Sequence, residues 1–475
     1  KGFSGFEAEI GRSLPANTYY VAGPLSAPED LKTEHGLRMA QIVTALVTNN
    51  LQNPGVIKEF YLYNVFGYSN FKAAIDDAIA RQIDVISYSE VWEYGGNNDG
   101  EGFINKQVSR ATKAGITWVN AAGNFALTTF NSKIKTVSED WLQLPDQNNA
   151  LMIRCEENPT GKCNMKVVLS WSDFKNDVEL GTNKDLDLAL TDDLLNIVQN
   201  SALQQSNDPN EARPGFSKYP REILIAEVKV GTYFLRVKNR SKNFSSQDSL
   251  RITIDGENIT MPSRSKTESL LNPADNPSVI TVGASDSDRS SISASLGKPD
   301  VLAPSSMVLQ GGSEFRGSSN ATAIVAAGVA LLKSVSDKAL TRSQIISKIT
   351  RSQNWGPGPI SLNGFGFMPT QRGCFVPREW KNPPPHIQQV LSAGGILVGT
   401  TMQVRFITPY DPISLVTGAQ RRNATDMVVV TLDGQYQLFG RQDAIPQGAV
   451  EIFQRPVEAG LCVLPARGAG KNFGL

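Results

Sequence analysis

The sequence predicts an α/β protein whose parallel, helix-covered sheet is interrupted by an inserted β-sandwich and followed by a β-rich C-terminal domain. Three observations lead to this fold class. Apolar residues alternate between helical and strand spacing over residues 36–134, and strands separated by helices pair in parallel through right-handed crossovers. The helical spacing disappears between residues 132 and 260. It returns after Val279 and continues to Val335.

The first α/β part contains three predicted helices and three predicted strands. One helix follows His35, one is capped by Ser69 or Asn70, and one covers residues 102–114. In each of them apolar residues recur on one face. The three strands have the short apolar runs that are typical of a buried parallel sheet. They cover residues 60–66, 84–89 and 116–119.

The middle of the chain has strand spacing only. Short alternating runs separated by turn residues are typical of a β-sandwich. Such runs cover residues 165–171, 185–190, 222–228 and 250–254, and the polar stretch 204–214 is predicted to be a surface loop. We therefore predict an α/β domain formed by residues 1–131 and 262–372, an inserted β-sandwich at 132–261, and a β-rich domain at 373–475.

Composition and charge narrow the class of protein. The 475 residues are 40% hydrophobic and 19% charged, which suits a globular chain with a sizeable core. Lysine plus arginine equals aspartate plus glutamate at 46 each, which argues against a nucleic-acid-binding protein. No apolar run reaches the roughly 18 residues of a membrane-spanning helix. We therefore expect no nucleic acid and no membrane span.

The four cysteines are Cys155, Cys163, Cys374 and Cys462. None of them forms a Cys-x-x-Cys pair, so no structural zinc site is expected. Two disulfides could form in three pairings. Cys155–Cys163 would close a short local loop, and Cys374–Cys462 would then join the ends of a C-terminal segment. Four unrelated buried thiols are the alternative.

Two histidines are the first candidates for chemistry, His35 and His386. His386 follows three prolines and is predicted to lie in a linker. His35 lies at the start of a predicted helix and precedes Gly36. A lone histidine there is more often structural than catalytic, so its role depends on the residues that accompany it.

The segment from Gly317 to Thr322 stands at the start of a strongly apolar helix. A serine at a helix N-terminus lies beside free backbone N–H groups and the positive end of the helix dipole. Such N–H groups can stabilise an oxyanion. The alternative is that Ser318 or Ser319 only caps the helix.

A third candidate is the segment from Asn120 to Asn124. An asparagine that follows a strand end and small residues can direct its amide NH₂ at a developing oxyanion. The alternative is a turn asparagine in the left-handed conformation.

In this order, the motifs resemble those of the subtilisin-like serine peptidases (subtilases) of the bacterial type. His35-Gly36 with Ala40 resembles the histidine motif HGTxVA, residues 84–89 resemble the substrate-binding strand DVINMS, and Gly123-Asn124 resembles the oxyanion segment. Four later segments also resemble the family: residues 272–284 before the last core strands, 298–304 (KPDVxAPG), 317–322 (GTSMAT) and 364–366 (Gly-Tyr-Gly). The resemblance covers residues 35–125 and 270–370.

The resemblance implies a role for each matching residue. Ser319 would be the nucleophile, and His35 the general base that takes its proton and later donates it to the leaving amine. Asn124 would donate to the oxyanion together with the backbone N–H of Ser319. An extended substrate peptide would pair as an added strand. One side of its cleft would be lined by Ser89, Glu90 and Val91, and the other by Ala121, Ala122 and Gly123.

The family's aspartate is the main departure. It belongs to a strand-end Asp-x-Gly motif well before the histidine, and Asp30 is too close to His35 for that position. The opening Lys1-Gly2-Phe3 would fit directly after an aspartate, so we expect the catalytic aspartate immediately upstream of Lys1. Without that carboxylate the chain would be nearly inactive, because an Asp-to-Asn change in such a triad lowers turnover by about 10⁴.

Smaller departures lie at the serine motif and the cleft. Asn320 replaces methionine, Ala323 replaces proline, and Ser305 replaces glycine. Glu90 and Val91 replace a Leu-Gly pair. The last change could narrow the substrate cleft.

The resemblance implies a secreted serine endopeptidase that acts on peptides or proteins through an acyl-enzyme on Ser319. The alternative is a catalytically impaired relative that binds peptides or proteins. An α/β-hydrolase would need a Gly-x-Ser-x-Gly elbow and the order Ser, Asp, His, and the sequence has neither. We expect a monomer that is secreted, on the cell surface or periplasmic, with a signal or pro-segment upstream.

No cofactor is required for this chemistry. A structural calcium ion could bind at Asp185 and Asp187, which would share one strand face. The alternative is that the two carboxylates lie on a solvated strand face.

Overall fold

The computed structural model describes most of the first 350 residues and the strands of the C-terminal segment. The described residues are 2–25, 33–47, 57–211, 213–284, 287–303, 305, 307–308, 314–315, 317–334, 336, 338–350, 367–369, 374–377, 396–400, 403–407, 427–431, 436–439, 449–453, 461–462 and 464–465. Within them, no helix combines the length and the apolar character that a membrane crossing needs.

The first α/β part alternates strands and helices along the chain, as predicted. Its elements are β1 (Thr18–Val21), α1 (His35–Val47), β2 (Phe60–Tyr63), α2 (Gly67–Ala80), β3 (Val85–Tyr88), α3 (Phe103–Lys113) and β4 (Thr117–Ala121). The described residues of the middle segment form strands and short 3₁₀ turns. Its strands are β5 (Thr129–Lys133), β6 (Leu151–Cys155), β7 (Lys162–Trp171), β8 (Leu186–Thr191), β9 (Ile197–Ser201), β10 (Gln204–Gln205), β11 (Phe216–Ser217), β12 (Arg221–Lys229), β13 (Gly231–Asn239), β14 (Ser249–Gly256) and β15 (Ile259–Thr260).

Helices return in the second α/β part. Its elements are β16 (Ile280–Ala284), β17 (Val301–Ala303), β18 (Met307–Val308), β19 (Glu314–Phe315), α4 (Ser318–Ser334) and α5 (Arg342–Thr350). The C-terminal segment contributes β20 (Phe367–Pro369), β21 (Cys374–Pro377), β22 (Ile396–Thr400), β23 (Gln403–Ile407), β24 (Met427–Thr431), β25 (Tyr436–Phe439), β26 (Ala449–Phe453), β27 (Leu461–Cys462) and β28 (Leu464–Pro465).

A parallel sheet is the centre of the α/β part. Strands β3, β4, β16 and β17 pair side by side in parallel, and β28 adds to β17 in the antiparallel sense. Strands β1 and β2 form a separate parallel pair in which Thr18 lies opposite Phe60. This arrangement confirms a mixed α/β fold with parallel strands, and it is consistent with the fold that the resemblance implied.

Helices cover both faces of this sheet. On one face, α1, α4 and α5 bury an apolar cluster with β4, β16 and β17 that includes Ile42, Val282 and Ile324. On the other face, α2 and α3 bury a second cluster with β3 and β4 that includes Phe71 and Trp118. Burial on both sides explains why these strands have continuous apolar runs instead of alternating ones.

The strands of the middle segment form two larger antiparallel sheets. One has the order β12-β7-β14-β5 and the other β15-β6-β13-β8-β9. Alternate residues of both sheets contribute to one buried cluster, including Val167 and Ile252 from the first and Leu188 and Leu235 from the second. Of the pairings that the sequence left open, the disulfide between Cys155 and Cys163 is present, with sulfur atoms 2.02 Å apart.

The structure corrects three details of the sequence prediction. Strand β2 ends at Tyr63 instead of residue 66, because the chain turns where the Phe66 N–H donates to Asn64 Oδ1 at 2.9 Å. Helix α2 begins at Gly67, so Ser69 and Asn70 lie inside it. Asn70 is fully buried, and its side-chain amide bonds the N–H and the carbonyl of Leu25 at 2.8 Å each, whereas the residue before the helix is Phe66.

The third detail is the stretch 204–214, which is not entirely a surface loop. Gln205 is buried and belongs to β10, which pairs with β11. At the C-terminal end, Cys374 lies opposite Cys462 in the β21–β27 ladder. The predicted motif at residues 364–366 and His386 lie outside the described residues.

Candidate active site

The two adjacent serines at the start of α4 have different environments. Ser318 is fully buried, and its Oγ accepts a hydrogen bond from the Gly123 N–H at 3.0 Å. Ser319 is half-buried, and its Oγ donates to the backbone carbonyl of Ser89 at 3.2 Å. Ser318 therefore has a structural role, and Ser319 is the more exposed of the two serines.

Ser89 and Ser319 join the end of β3 to the start of α4. The Ser89 Oγ donates to the Ser319 carbonyl at 3.1 Å, which completes a reciprocal pair of bonds. Ser89 comes directly after β3, at the carboxyl end of that strand. The carboxyl edge of a parallel sheet is where open α/β proteins bind their ligands.

Asn124 lies against the same helix end. Its Oδ1 accepts a hydrogen bond from the Ser318 N–H at 3.0 Å, which fixes the orientation of the amide. A Cβ atom added at Gly317 would lie 2.9 Å from Asn124 Nδ2. The amide NH₂ thus lies at the N-terminus of α4, where first-turn N–H groups lack helical acceptors and the helix dipole is positive. This combination of donors suits a developing oxyanion.

Gly123 allows the segment before Asn124 to approach the start of α4 closely. It has a φ of 94°, its N–H is bound to Ser318 Oγ, and its carbonyl accepts from the Ser291 N–H at 2.8 Å. A positive φ is a conformation that glycine adopts without strain. Val91 lies beside it, since a Cβ atom added at Gly123 would be 3.4 Å from Val91 Cγ2.

His35 is the first residue of α1, and an acidic side chain faces it. Its Nδ1 lies 3.8 Å from Glu90 Oε1, and both side chains are 32% exposed. Glu90 directly follows Ser89, which is bonded to Ser319. The structure therefore links the predicted base to the predicted nucleophile through residues 89 and 90, and it places the Glu90 carboxylate at the imidazole.

The remaining predicted cleft residues, Ala121 and Ala122, are buried. Ala121 is the last residue of β4, and the Ala122 N–H donates to the Val282 carbonyl at 2.8 Å. Ala122 packs in a small cluster with Leu270 and Ala274. Both alanines thus hold the chain in the sheet immediately before Gly123 and Asn124.

The sequence motifs did not indicate most of the residues that hold the loop after β3. The Trp92 N–H donates to the Asn272 carbonyl at 2.7 Å. Lys166 Nζ of the middle segment lies 2.6 Å from Glu93, and the Arg221 guanidinium lies 3.7 Å from the centre of the Tyr94 ring. The middle segment therefore supports one wall of the candidate site, and Asn272-Pro273 was the only part of this contact that the motifs indicated.

A buried carboxyl lies behind the same loop. Asp275 accepts from Asn105 Nδ2 at 3.0 Å and from the Gly100 N–H at 3.0 Å. Burial raises the pKa of Asp275, and these two hydrogen bonds act in the opposite direction. Its contacts tie α3 and the loop before it to the segment that carries Asn272.

The sequence that forms this site matches a known protein family. The family model for the subtilase family matches residues 17–219 and 239–367, well over half of the chain. The chain belongs to the subtilase family. Subtilases are serine peptidases, and the match includes His35, Asn124 and Ser319.

Two solved structures are similar to this subtilase. The CspB protease of Clostridium perfringens is 14% identical with a TM-score of 0.35, and the match covers 61% of this chain and 66% of that one. This chain thus spans just under two thirds of that protease. A pre-peptidase C-terminal domain of a Bacillus anthracis collagenase is 12% identical with a TM-score of 0.15, covering 27% of this chain and 89% of that one. No curated protein matches the sequence.

The predicted calcium residues have a basic partner. Asp187 forms an ion pair with Arg240. Burial, followed by repulsion from Asp187, raises the pKa of Asp185 to about 6. Across the described ranges, no three acidic, histidine or cysteine side chains converge in a way that could hold a metal ion.

Proposed function

We propose that this subtilase is a secreted serine endopeptidase that forms an acyl-enzyme on Ser319 with His35 as general base. One observation carries the proposal. Of the two serines at the start of α4, Ser318 is buried and bonded to Gly123, whereas Ser319 is accessible beside the Asn124 amide. A nucleophile needs this access and an oxyanion donor close to it.

The reaction begins with the Ser319 hydroxyl. In the free protein this hydroxyl donates a hydrogen bond to the Ser89 carbonyl. On substrate binding the hydroxyl turns to the imidazole of His35, which takes the proton as Oγ attacks the scissile carbonyl. The negative charge that develops on the carbonyl oxygen is stabilised by the Ser319 N–H and the Asn124 NH₂. The protonated imidazole then donates its proton to the leaving amine. A water molecule next attacks the acyl-enzyme in the same way and releases the acyl group from Ser319.

The imidazole also needs an orienting carboxylate. The carboxylate that lies at the ring is that of Glu90, whose Oε1 is 3.8 Å from His35 Nδ1. The first described residues pack beside the same helix: the Gly2 carbonyl accepts from the Leu37 N–H at 2.9 Å, and the Ser4 N–H donates to the Thr33 carbonyl at 2.9 Å. These bonds hold the chain after Lys1 against the first turn of α1, which carries His35.

The substrate is a peptide or protein that extends between the segments after β3 and β4. Ser89, Glu90 and Val91 line one side, and the segment from Ala121 to Gly123 supports the other. The disulfide suits an oxidising location outside the cytosol. We further propose that the two antiparallel sheets form an inserted β-sandwich domain, that the protein is a monomer, and that a calcium ion, if bound, has a structural role only.

A fluorophosphonate probe tests the proposed function. Applied to the full-length protein, it should label Ser319, as read by peptide mass spectrometry. Ser319→Ala should abolish labelling. The neighbouring variant Ser318→Ala is the matched control and should still be labelled. Absence of labelling in the unsubstituted protein, or persistent labelling in Ser319→Ala, would contradict the proposal.

A further inference from the structure

A buried arginine of the middle segment reaches the chain that lies behind the candidate site. Arg251 belongs to β14 and is 6% exposed. Its Nη1 donates to the Leu270 carbonyl, and its Nε donates to Asn131 Oδ1 at 2.7 Å. Burial lowers the pKa of Arg251 to about 10, so the side chain is still a cation at neutral pH. Hydrogen bonds from a charged donor are stronger than those between neutral groups.

Asn131 extends this contact along the same chain. It lies opposite Arg251 in the β5–β14 ladder, and its Nδ2 donates to the Glu268 carbonyl at 2.5 Å. Two adjacent strands of the middle segment thus hold the backbone at Glu268 and at Leu270. We call residues 268–272 the bridge segment.

The bridge segment contacts both walls of the candidate site. Leu270 is buried and packs in one cluster with Ala122, which directly precedes Gly123. Two residues later, the Asn272 carbonyl accepts from the Trp92 N–H at 2.7 Å. A shift of the bridge segment would therefore disturb the wall after β4 and the wall after β3 together.

A second connection to the oxyanion donor runs through hydrogen bonds. The Ser269 N–H donates to the Ile292 carbonyl at 2.8 Å, and the Ile292 N–H donates to Ser269 Oγ at 3.0 Å. The preceding residue, Ser291, donates its N–H to the Gly123 carbonyl at 2.8 Å, and its Oγ accepts from the Phe125 N–H at 2.9 Å. The last two residues flank the asparagine that carries the oxyanion donor, so this connection holds its backbone on both sides.

We propose that Arg251 is a positioning residue for Asn124, because it fixes the bridge segment that supports the backbone on both sides of that asparagine. This inference deepens the proposed function and rests on it for its effect on catalysis. Arg251 does not touch the reacting atoms, and its effect reaches Ser319 only through the bridge segment. The middle segment would then take part in arranging the candidate site.

The two bonds of Arg251 require a guanidinium. Its donors point in more than one direction, and Arg251 uses Nε for Asn131 and Nη1 for the Leu270 carbonyl. A lysine keeps the charge, but all its donors lie at the end of the side chain, so it lacks the donor that Asn131 receives. Arg251→Lys should therefore keep part of the positioning effect.

The rate of fluorophosphonate labelling of Ser319 tests the proposal. Arg251→Met keeps an unbranched apolar side chain and removes the charge and both bonded donors. Losing an oxyanion donor outright lowers turnover by about 10²–10³, so a displaced donor should lower the labelling rate about tenfold. Arg251→Lys should restore part of that loss. In the Asn124→Ala background, Arg251→Met should cause no further loss, because its target is already absent.

Arg236→Met is the matched control. Arg236 lies in the other antiparallel sheet, on β13, with its guanidinium 3.9 Å from the centre of the Trp141 ring. This variant should leave the labelling rate unchanged even where it lowers the Tm. Equal losses in the two arginine variants would show a general effect of a weakened middle segment and would overturn the proposal. An unchanged rate in folded Arg251→Met, or an additive loss with Asn124→Ala, would also overturn it.

Hydrogen exchange gives a measurement that does not depend on catalysis. The amides of Ser269, Leu270 and Ser291 should exchange at least about tenfold faster in Arg251→Met than in the unsubstituted protein. The amides of β13 and α2 should stay protected in both proteins, which reports that the middle segment and the α/β part are folded. Unchanged exchange at the first three amides would refute the control of the bridge segment by Arg251.

A milder variant covers the case in which Arg251→Met does not fold. Asn131→Ala removes one acceptor of Arg251 and the bond to the Glu268 carbonyl, and it should speed exchange of the same amides by a smaller factor. No change in folded Asn131→Ala would contradict the proposal. Faster exchange of these amides, with Ser319 unlabelled in every protein, would sustain the role of Arg251 in the bridge segment and refute the proposed peptidase function.

Discussion

Replacing Gly317 by alanine should damage the candidate site through Asn124. Gly317 has a φ of 137°, a conformation that L-residues rarely adopt. The new Cβ atom would lie 2.9 Å from Asn124 Nδ2 and 3.1 Å from Oδ1. The Asn124 side chain or the backbone at residue 317 must therefore move. The backbone strain alone costs about 1–3 kcal/mol.

The effect on reactivity follows from what the Asn124 amide does. Its Oδ1 is fixed by the Ser318 N–H, so a displaced side chain loses both this bond and the orientation of its NH₂. Losing one oxyanion donor lowers turnover by about 10²–10³. We expect Gly317→Ala to reduce the rate of fluorophosphonate labelling of Ser319 toward that of Asn124→Ala.

The assay is a double-mutant cycle on the labelling rate of the full-length protein. If the alanine acts through Asn124, the double variant should be labelled no more slowly than Asn124→Ala alone, because residues that act as a unit are not additive. Circular dichroism confirms that each variant is folded. An unchanged rate in folded Gly317→Ala, or fully additive losses in the double variant, would refute this reasoning.

Three further predictions concern stability. Ser318→Ala leaves the buried Gly123 N–H without its acceptor and should lower the free energy of unfolding by about 1–3 kcal/mol in urea, while Ser319 is still labelled; unchanged stability would contradict the structural role of Ser318. Glu222 is fully buried, and burial raises its pKa from 4.5 to about 7. A carboxyl whose pKa is raised in the folded protein stabilises the fold below pH ~4.5, and this contribution is lost as the pH rises to ~7. Urea titrations should therefore show a free energy of unfolding that falls across this pH range in the unsubstituted protein but not in Glu222→Gln. Equal pH dependence in both proteins would exclude Glu222 as its source. Replacing Cys155 and Cys163 by serine should lower the free energy of unfolding by about 2–3 kcal/mol, because the disulfide closes a short loop, and reduction of the unsubstituted protein should have the same effect; a Tm that neither treatment changes would contradict this.

Much of the α/β part could be predicted because the relevant signals are local. Helical and strand spacing placed α1, α3, β3 and β4, since each buries an apolar face against its neighbours. The family motifs predict that His35, Asn124 and Ser319 share one site, and the structure places Asn124 against the first turn of α4, which carries Ser319. Strand ends were predicted less well. The end of β2 depends on the Asn64 side chain, and the start of α2 on the distant Leu25.

The roles of adjacent residues in the candidate site could be distinguished only from the structure. The family motif predicts Ser319 as the nucleophile, but the residue pattern alone could not show which serine is the more exposed, because that depends on the Gly123 N–H reaching Ser318 Oγ. Glu90 was predicted only as a cleft residue, and its proximity to His35 follows from the turn after β3.

The central claim is that Ser319, Asn124 and His35 act on one reacting atom. A crystal structure of the full-length protein after reaction with a peptidyl phosphonate tests it most directly. We predict a covalent bond from phosphorus to Ser319 Oγ, a phosphonyl oxygen within about 3 Å of Asn124 Nδ2 and the Ser319 N–H, and the His35 ring on the opposite side of phosphorus. An adduct on another residue, or a phosphonyl oxygen turned away from Asn124, would contradict the account.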